Sequence, residues 1–278
     1  MIGLIRNEMM KIATRWRTAI GFGAIALLMP LVLWGFHHGG SGLEYSIRQA
    51  LEGQFIMVGS LFNGFLETYL VMNLLWVHIP FLVTLVAGDV VAAEGAQGTF
   101  RIYLIRSVPR WKIMTAKLLA TWLYTAILIL FFAFMSLGLG ALFLGTGDLI
   151  VLEAGILILP PDMAWMRFAL AFALAIVAMG VVATLTFMFS AMVNNGIGPI
   201  IGTMAVLLVG LAISNIPLDW FDHLRPWLFS SYLDVWRFAF TDPVPWDRVA
   251  EYLGILFLYI AGFTALGFGV FSRRDITT

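Results

Sequence analysis

Residues 88–117 read GDVVAAEGAQGTFRIYLIRSVPRWKIMTAK, and the rest of the chain is organised around this stretch. It lies between two long apolar runs and carries five of the sixteen basic residues, so it is too polar to cross a bilayer. Thr99 can cap a helix through its hydroxyl, and Pro109 ends that helix because the residue before a proline avoids the helical region. The stretch therefore predicts a short amphipathic helix, Thr99–Ile105, held at a membrane surface between two spanning helices.

The composition of the whole chain is that of a membrane protein. Of its 278 residues, 61% are hydrophobic and 12% are charged, which is more apolar surface than a soluble domain of this size can bury. The apolar runs are long and do not alternate as the strands of a barrel do. We therefore expect one all-α transmembrane domain, residues 1–278, with six transmembrane helices. The predicted spans are 18–36, 65–87, 118–143, 165–190, 197–216 and 248–271, with a loop at 88–117 and an outer segment at 217–247.

The first residues, Met1–Arg17, combine one apolar helical face with four basic residues. This pattern is typical of a helix that lies in the membrane interface, and a frayed tail is the alternative. Thr18–Phe36 is longer than the apolar core of a signal peptide and lacks a small-residue cleavage site, so we expect it to remain in the membrane. The apolar face consists of Ile2, Ile5, Met9, Ile12 and Trp16.

The distribution of charge predicts the orientation. If the N-terminus lies inside, eleven Lys and Arg residues fall on the inner side and five on the outer side, as the positive-inside rule requires. We therefore expect a multi-pass protein of the cell's inner (cytoplasmic) membrane with both termini and the loop 88–117 in the cytoplasm. The net charge of zero gives no indication of nucleic-acid binding, and the absence of cysteine excludes disulfides and thiolate metal sites.

Several features of the loop 88–117 recur, in the same order, in a known family. It resembles the cytoplasmic loop of the type-2 class of ABC (ATP-binding cassette) exporter permeases, and the six-span layout extends the resemblance over nearly the whole chain. The matching features are Glu94, Gly98-Thr99, the apolar helix Phe100–Ile105, Pro109-Arg110 and Ala116-Lys117.

The resemblance implies that this chain is the permease subunit of an ATP-driven exporter of hydrophobic or amphipathic cargo. Two such subunits, alike or different, would pair in the bilayer, and the loop helix would be a coupling helix that docks on a separate cytoplasmic ATPase. The chain has no phosphate-binding loop of its own, so ATP and Mg²⁺ would bind to that partner and this chain would not be an enzyme. Whether Glu94 pairs with the partner or with Arg101 stays open. The candidate coupling residues are Glu94, Gly98, Thr99, Phe100, Arg101, Tyr103, Leu104, Arg106 and Arg110.

A second group of residues forms a candidate cargo path. His78 lies near the middle of the second span, where ionisable groups usually face protein or water, and Asn73 precedes it on the same helix. His78 either lines the path or satisfies polar groups at a kink produced by Pro80. In the resembled family the second and fifth spans line the path, which adds Met204, Leu207 and Leu208 as candidates.

Other polar features receive weaker interpretations. His37-His38 lacks an obvious third ligand, so we expect no metal site. Glu67 is placed at the outer end of the second span, where we expect water to solvate its carboxylate. The aromatic segment Pro217–Asp247 is either an outer loop anchored at the interface or, by family resemblance, short helices that dip back into the membrane.

Two other classes of function remain compatible with the sequence. A secondary carrier that works without ATP would be expected to carry more intramembrane acids and an internal repeat, and neither is visible. A membrane anchor or assembly subunit that transports nothing is the other alternative.

Overall fold

The computed structural model describes residues 1–51, 62–96, 109–152 and 155–273, except for the side chains of 37 and 39–51. Within these ranges the chain is almost entirely helical. Two 3-10 helices, Arg225–Trp227 and Phe229–Phe240, lie between the last two α-helices. The α-helices are α1 Ile2–Ala13, α2 Trp16–Leu51, α3 Gly64–Leu75, α4 Ile79–Ala87, α5 Asp89–Ala96, α6 Arg110–Leu144, α7 Pro161–Met192, α8 Ile197–Asn215, α9 Asp219–Asp222 and α10 Trp246–Arg273.

Six helical stretches in the described part of the chain are long and apolar enough to cross a membrane. This confirms the prediction of a multi-pass, predominantly helical membrane protein with six candidate spans. The stretches are Trp16–Phe36, Ile79–Ala96, Arg110–Leu144, Pro161–Met192, Ile197–Asn215 and Trp246–Arg273.

The second predicted span, 65–87, is not one continuous helix. It consists of α3 and α4, separated by a turn at Trp76–His78, and α5 continues after Gly88. Pro80 has no N–H, so the carbonyl of Trp76 cannot receive its helical hydrogen bond. The amides of His78 and Phe81 instead donate to carbonyls three residues back, Leu75 at 2.8 Å and His78 at 3.1 Å. At the position of the expected proline-induced kink, the α-helical hydrogen bonding is therefore interrupted for one turn, while Trp76 and His78 keep helical dihedral angles.

Two segments outside the spans differ from expectation. The predicted connection after the first span is helical at its start, because α2 continues through Leu51. The loop after α6 contains a β-hairpin in which Leu149–Leu152 (β1) pairs antiparallel with Ile156–Leu159 (β2). The prediction of a purely helical chain is therefore wrong at this hairpin. Two four-residue apolar runs with β-branched residues form it.

The segment 217–247 packs into the helix bundle. Phe229 contacts Tyr259 and Phe263 in the middle of α10, with ring centroids 5.7 and 5.9 Å away. Trp236 is fully buried and lies 5.3 Å from the ring of Trp76, at the break in the second span. The segment is therefore divided: the aromatic side chains of Phe229–Phe240 that are buried belong to the core, whereas Trp220, Trp227 and Trp246 are exposed. Re-entry of this segment into the membrane stays a prediction.

The bundle has two chemically different ends. One end, which we call the basic end, carries α1, the C-terminus of α5, the N-terminus of α6 and the C-terminus of α10. The other end, the hairpin end, carries β1 and β2. There Asn63 caps α3 by accepting hydrogen bonds from the amides of Phe65 (3.0 Å) and Leu66 (3.1 Å), while its amide nitrogen donates to the carbonyl of Asp148.

Glycine brings α3 and α6 into close contact near this cap. A Cβ atom on Gly140 would lie 3.0 Å from the carbonyl oxygen of Gly64 and 2.9 Å from Oε2 of Glu67. Small residues allow such approach of helices in membranes. As a result, Glu67 is fully buried, and its Oε1 has no hydrogen-bond partner within the described part of the chain. The expectation that water solvates this carboxylate is therefore wrong, because packing of α3 on α6 covers it.

Candidate functional site

Four charged side chains meet at the basic end and form what we call the ion network: Glu8 and Lys11 of α1, Glu94 of α5 and Lys117 of α6. Lys117 Nζ lies 2.8 Å from a carboxylate oxygen of Glu8 and 2.8 Å from one of Glu94. Lys11 Nζ lies 2.7 Å from Glu8 and 2.8 Å from Glu94. Two ammonium groups thus alternate with two carboxylates, and each charge contacts two charges of opposite sign.

Three of the four members of the ion network are buried, whereas the side chain of Lys11 is 29% exposed. Lys117 is 0% exposed, while Glu8 and Glu94 are 5% and 4% exposed. Lys117 also donates to the carbonyl of Val90 at 3.0 Å, so its ammonium group has three acceptors. Buried charges persist only when they are paired and hydrogen-bonded, and in a low dielectric their attraction is strong. The network therefore joins three helices at one buried point.

A second set of contacts fixes the start of α5. Arg17 NH1 lies 2.8 Å from the carboxylate of Asp89, and Arg15 donates to the Asp89 carbonyl at 3.0 Å. Ser190 of α7 accepts hydrogen bonds from the amides of Val91 and Ala92, which are unpaired at the first turn of a helix. The helix that leads into residue 97 is consequently held at both of its ends.

A glycine, Gly196, lies where the turn before α8 passes this pair. A Cβ atom on Gly196 would collide with the carboxylate of Asp89. The chain therefore passes directly beside the Arg17–Asp89 pair, and a side chain at position 196 would displace the Asp89 carboxylate from this pair.

The structure brings together two separated features of the sequence resemblance. Glu94 lies before the segment 97–108 and Lys117 lies after it, and their charged groups are in contact. Glu94 is paired with Lys11 and Lys117, which answers part of the question about its partner. Arg110, at the start of α6, donates to the carbonyl of Ser272 at 3.4 Å. The other candidate coupling residues lie outside the described residues: Gly98, Thr99, Phe100, Arg101, Tyr103, Leu104 and Arg106.

Sequence reasoning missed Glu8, Lys11 and Lys117 as members of one site. The available signal was weak. Glu8 and Lys11 are spaced for an ion pair within one helix, and Lys117 is one of only three lysines in the chain. The apolar face predicted for α1 is only partly used, because Ile12 is buried whereas Ile2 is 85% exposed.

The second candidate region is a groove beside the break in the second span. It has a volume of about 630 Å³ and lies between α2, the turn that separates α3 from α4, and α8. Its walls include Ile25 and Leu28 of α2, Phe81 of α4 and Met204 of α8, and His78 lies at the turn. The described residues that line the groove are apolar except for His78.

The predicted cargo-path residues do not all meet in this groove. His78 and Met204 line it, whereas Asn73 donates to the carbonyl of Tyr69 on its own helix at 2.9 Å. Leu207 is buried in the core, and Leu208 is exposed on another part of α8. Among the described residues, no group of three His, Asp or Glu side chains is arranged to hold a metal ion.

Comparison with known proteins places the chain in a family. It is similar to the uncharacterized protein YhcI of Bacillus subtilis (strain 168), with 24% identity over 313 aligned positions that cover 99% of each chain. The sequence model of a family described as a protein of unknown function (DUF2705) matches residues 23–277. That match includes Glu94, Lys117 and the groove, and it begins after Glu8 and Lys11. The chain therefore belongs to the DUF2705 family of proteins of unknown function.

Proposed function

We propose that this chain is the transmembrane permease subunit of an ATP-driven ABC exporter, acting with a separate ATPase. The observation that carries the proposal is the ion network. It joins Glu94 and Lys117, which flank the segment 97–108, to each other and to α1. A segment that receives force from a partner requires flanking helices that move together, and the network supplies that connection.

The proposed coupling helix, Thr99–Ile105, transmits movement of the ATPase to the spans. In the helix predicted from the sequence, Phe100, Tyr103 and Leu104 would form an apolar ridge at helical spacing, and aromatic anchors commonly dominate interface energy. Displacement of this helix would pass directly to α5 and α6 through their ends. From α5 it would continue through α4 to the break at Trp76–His78, where the second span can bend.

In this arrangement the basic end faces the cytoplasm and both termini are on that side. The excess of Lys and Arg at this end supports the orientation. In this proposal α1 lies in the interface of the inner membrane, and the exposed Ile2 of α1 and Trp16 at the start of α2 contact lipid. The chain itself binds no ATP. ATP and Mg²⁺ bind to the ATPase, and a second permease subunit completes the transporter.

The proposal is tested at the ridge of the coupling helix. The affinity-tagged chain is expressed in its native host and purified in mild detergent, and vanadate-sensitive ATP hydrolysis by the preparation is measured. We expect a co-purifying subunit with a phosphate-binding loop and measurable hydrolysis. The double variant Phe100→Asp and Leu104→Asp should lose both because two buried charges oppose docking, whereas Phe100→Leu with Leu104→Met should retain both.

Each result of this experiment has a definite meaning. The double Asp variant must still be recovered as a folded membrane protein, as judged by its elution volume and thermal midpoint. If that variant retains the ATPase and its hydrolysis, the segment 99–105 is not the docking element. If the unmodified chain carries no ATPase at all, the proposal of an ABC permease is wrong.

A further inference from the structure

The groove beside the break in the second span has the size of a small-molecule site. Its volume of about 630 Å³ falls within the range of roughly 300 to 1,000 Å³ that is usual for ligand pockets. Such pockets combine apolar walls with a few polar groups that orient the ligand. The groove has this combination, because its described walls are apolar and carry one polar group, the imidazole of His78.

Its position also fits a binding site. A helix interrupted within a membrane leaves backbone groups unpaired, and such breaks are tolerated where they are covered by protein or line a cavity. Here the turn at Trp76–His78 forms one wall of the groove. Discontinuous helices of this kind commonly form substrate sites in transporters.

The hydrogen bond of His78 determines which group the groove offers to a ligand. Nδ1 of His78 lies 3.2 Å from the carbonyl oxygen of Leu74. Because a carbonyl can only accept, Nδ1 carries the hydrogen, and in a neutral imidazole Nε2 is then an acceptor. The side chain is exposed, and Nε2 has no hydrogen-bond partner in the described part of the chain. The groove therefore presents one unpaired acceptor in apolar surroundings.

We propose that this groove binds a largely apolar molecule that donates one hydrogen bond, from a hydroxyl, phenol or N–H group, to Nε2 of His78. The described lining residues include no Lys or Arg, so the groove has no fixed positive charge for a phosphate or sulfate. A ligand without a donor leaves Nε2 unpaired and binds less tightly. That the ligand is the exported cargo rests on the proposed function, whereas the binding itself does not.

The test uses three fluorescent probes that differ in one substituent: 1-hydroxypyrene, 1-methoxypyrene and pyrene. Binding to the full chain in lipid nanodiscs is measured by quenching of tryptophan fluorescence, with empty nanodiscs correcting for partition into lipid. We expect 1-hydroxypyrene to bind about 2- to 10-fold more tightly than the other two, the ratio that one net hydrogen bond provides. Equal affinities would overturn the proposal, because they describe a groove that holds any apolar group, including a lipid chain.

Variants of His78 test the assigned acceptor. His78→Phe keeps an aromatic ring without a nitrogen, so it should bind all three probes equally. His78→Gln retains a side-chain acceptor and should keep a preference for 1-hydroxypyrene. If His78→Phe keeps the full preference, or His78→Gln abolishes it while folding normally, the acceptor has been assigned wrongly.

Large side chains introduced into the groove test whether the probes bind there. Ala24 lines the groove and Ala26, exposed on the same helix, does not. Ala24→Trp should weaken all three probes at least 10-fold, and Ala26→Trp should bind them normally. If Ala24→Trp instead dissociates a dimer, and the unmodified chain binds no probe, a second copy of the chain occupies the groove and the proposal fails.

The probe-binding experiment and the ATPase experiment test the two proposals independently. A chain that co-purifies with its ATPase but shows no preference for 1-hydroxypyrene contradicts the groove proposal alone. A chain with the preference but without an ATPase contradicts the exporter proposal alone.

Discussion

At the scale of single residues, Lys117 holds the most consequential position. Its ammonium group is fully buried and contacts Glu8, Glu94 and the carbonyl of Val90. Removing one member of a buried ion pair is costly, because the remaining charges keep their desolvation penalty without their partner. Lys112, only five residues earlier in the chain, is exposed and provides a matched comparison.

We expect Lys117→Met to lower the free energy of unfolding by about 3 to 5 kcal/mol. Lys112→Met should change it by less than about 1 kcal/mol, as is usual for an exposed charge. Thermal midpoints of detergent-purified protein, measured by size-exclusion chromatography after heating, check both values. Adding Glu94→Gln to Lys117→Met should recover part of the loss, because it removes a buried charge. Equal midpoints for the two single variants would show that the ion network does not stabilise the basic end.

At the scale of elements, the close contact of α3 with α6 depends on Gly140 of α6 and not on Gly138, two residues earlier. A Cβ atom on Gly140 would lie 3.0 and 3.1 Å from backbone atoms of Gly64, whereas a Cβ atom on Gly138 would meet nothing within 4 Å. Backbone atoms cannot turn aside as a flexible side chain can. Alanine substitutions at these two positions therefore distinguish the effect of helix propensity on stability from the effect of helix packing.

Gly140→Ala should lower the thermal midpoint, because α3 and α6 must move apart and the packing around Glu67 is lost. Gly138→Ala should leave the midpoint unchanged or raise it slightly, since alanine favours the helix over glycine by about 1 kcal/mol. The same heating assay compares the two. If Gly140→Ala is as stable as Gly138→Ala, the close contact is not a determinant of stability.

The elements also differ in how far the sequence predicts them. Long apolar runs locate the six spans because a membrane segment must satisfy its own backbone hydrogen bonds. Pro80 likewise indicates the interruption before α4. The extension of α2 to Leu51 was missed because its glycines resemble those of a loop. The hairpin was missed because four-residue apolar runs do not distinguish a strand from a helix.

At the scale of the whole molecule, the ion network could not be predicted from sequence. Its members lie at positions 8, 11, 94 and 117 and meet only after α1 packs against α6. The motif around the loop indicated that Glu94 and Lys117 matter, but not that they contact each other. The groove could not be predicted from sequence either, because His78 and Met204, which both line it, are separated by more than a hundred residues.

The broken second span connects two regions of the molecule, the ion network and the groove. The ion network lies beside the segment proposed to receive the ATPase, and the groove lies at the break further along. If the chain is the proposed exporter subunit, events at these two regions must be linked, because an exporter couples ATP hydrolysis to the state of its membrane path. We therefore expect ATP hydrolysis by the partner subunit to depend on this chain and on an intact segment 99–105.

The most direct measurement is the rate of ATP hydrolysis by the purified ATPase subunit, alone and reconstituted with this chain in nanodiscs. We expect a vanadate-sensitive rate at least several-fold higher with the unmodified chain than with the Phe100→Asp, Leu104→Asp variant at the same protein ratio. The Phe100→Leu, Leu104→Met variant should give the higher rate as well. An identical rate with the unmodified chain, with the double Asp variant and with empty nanodiscs would contradict the claim that this chain is the membrane subunit of an ATP-driven exporter.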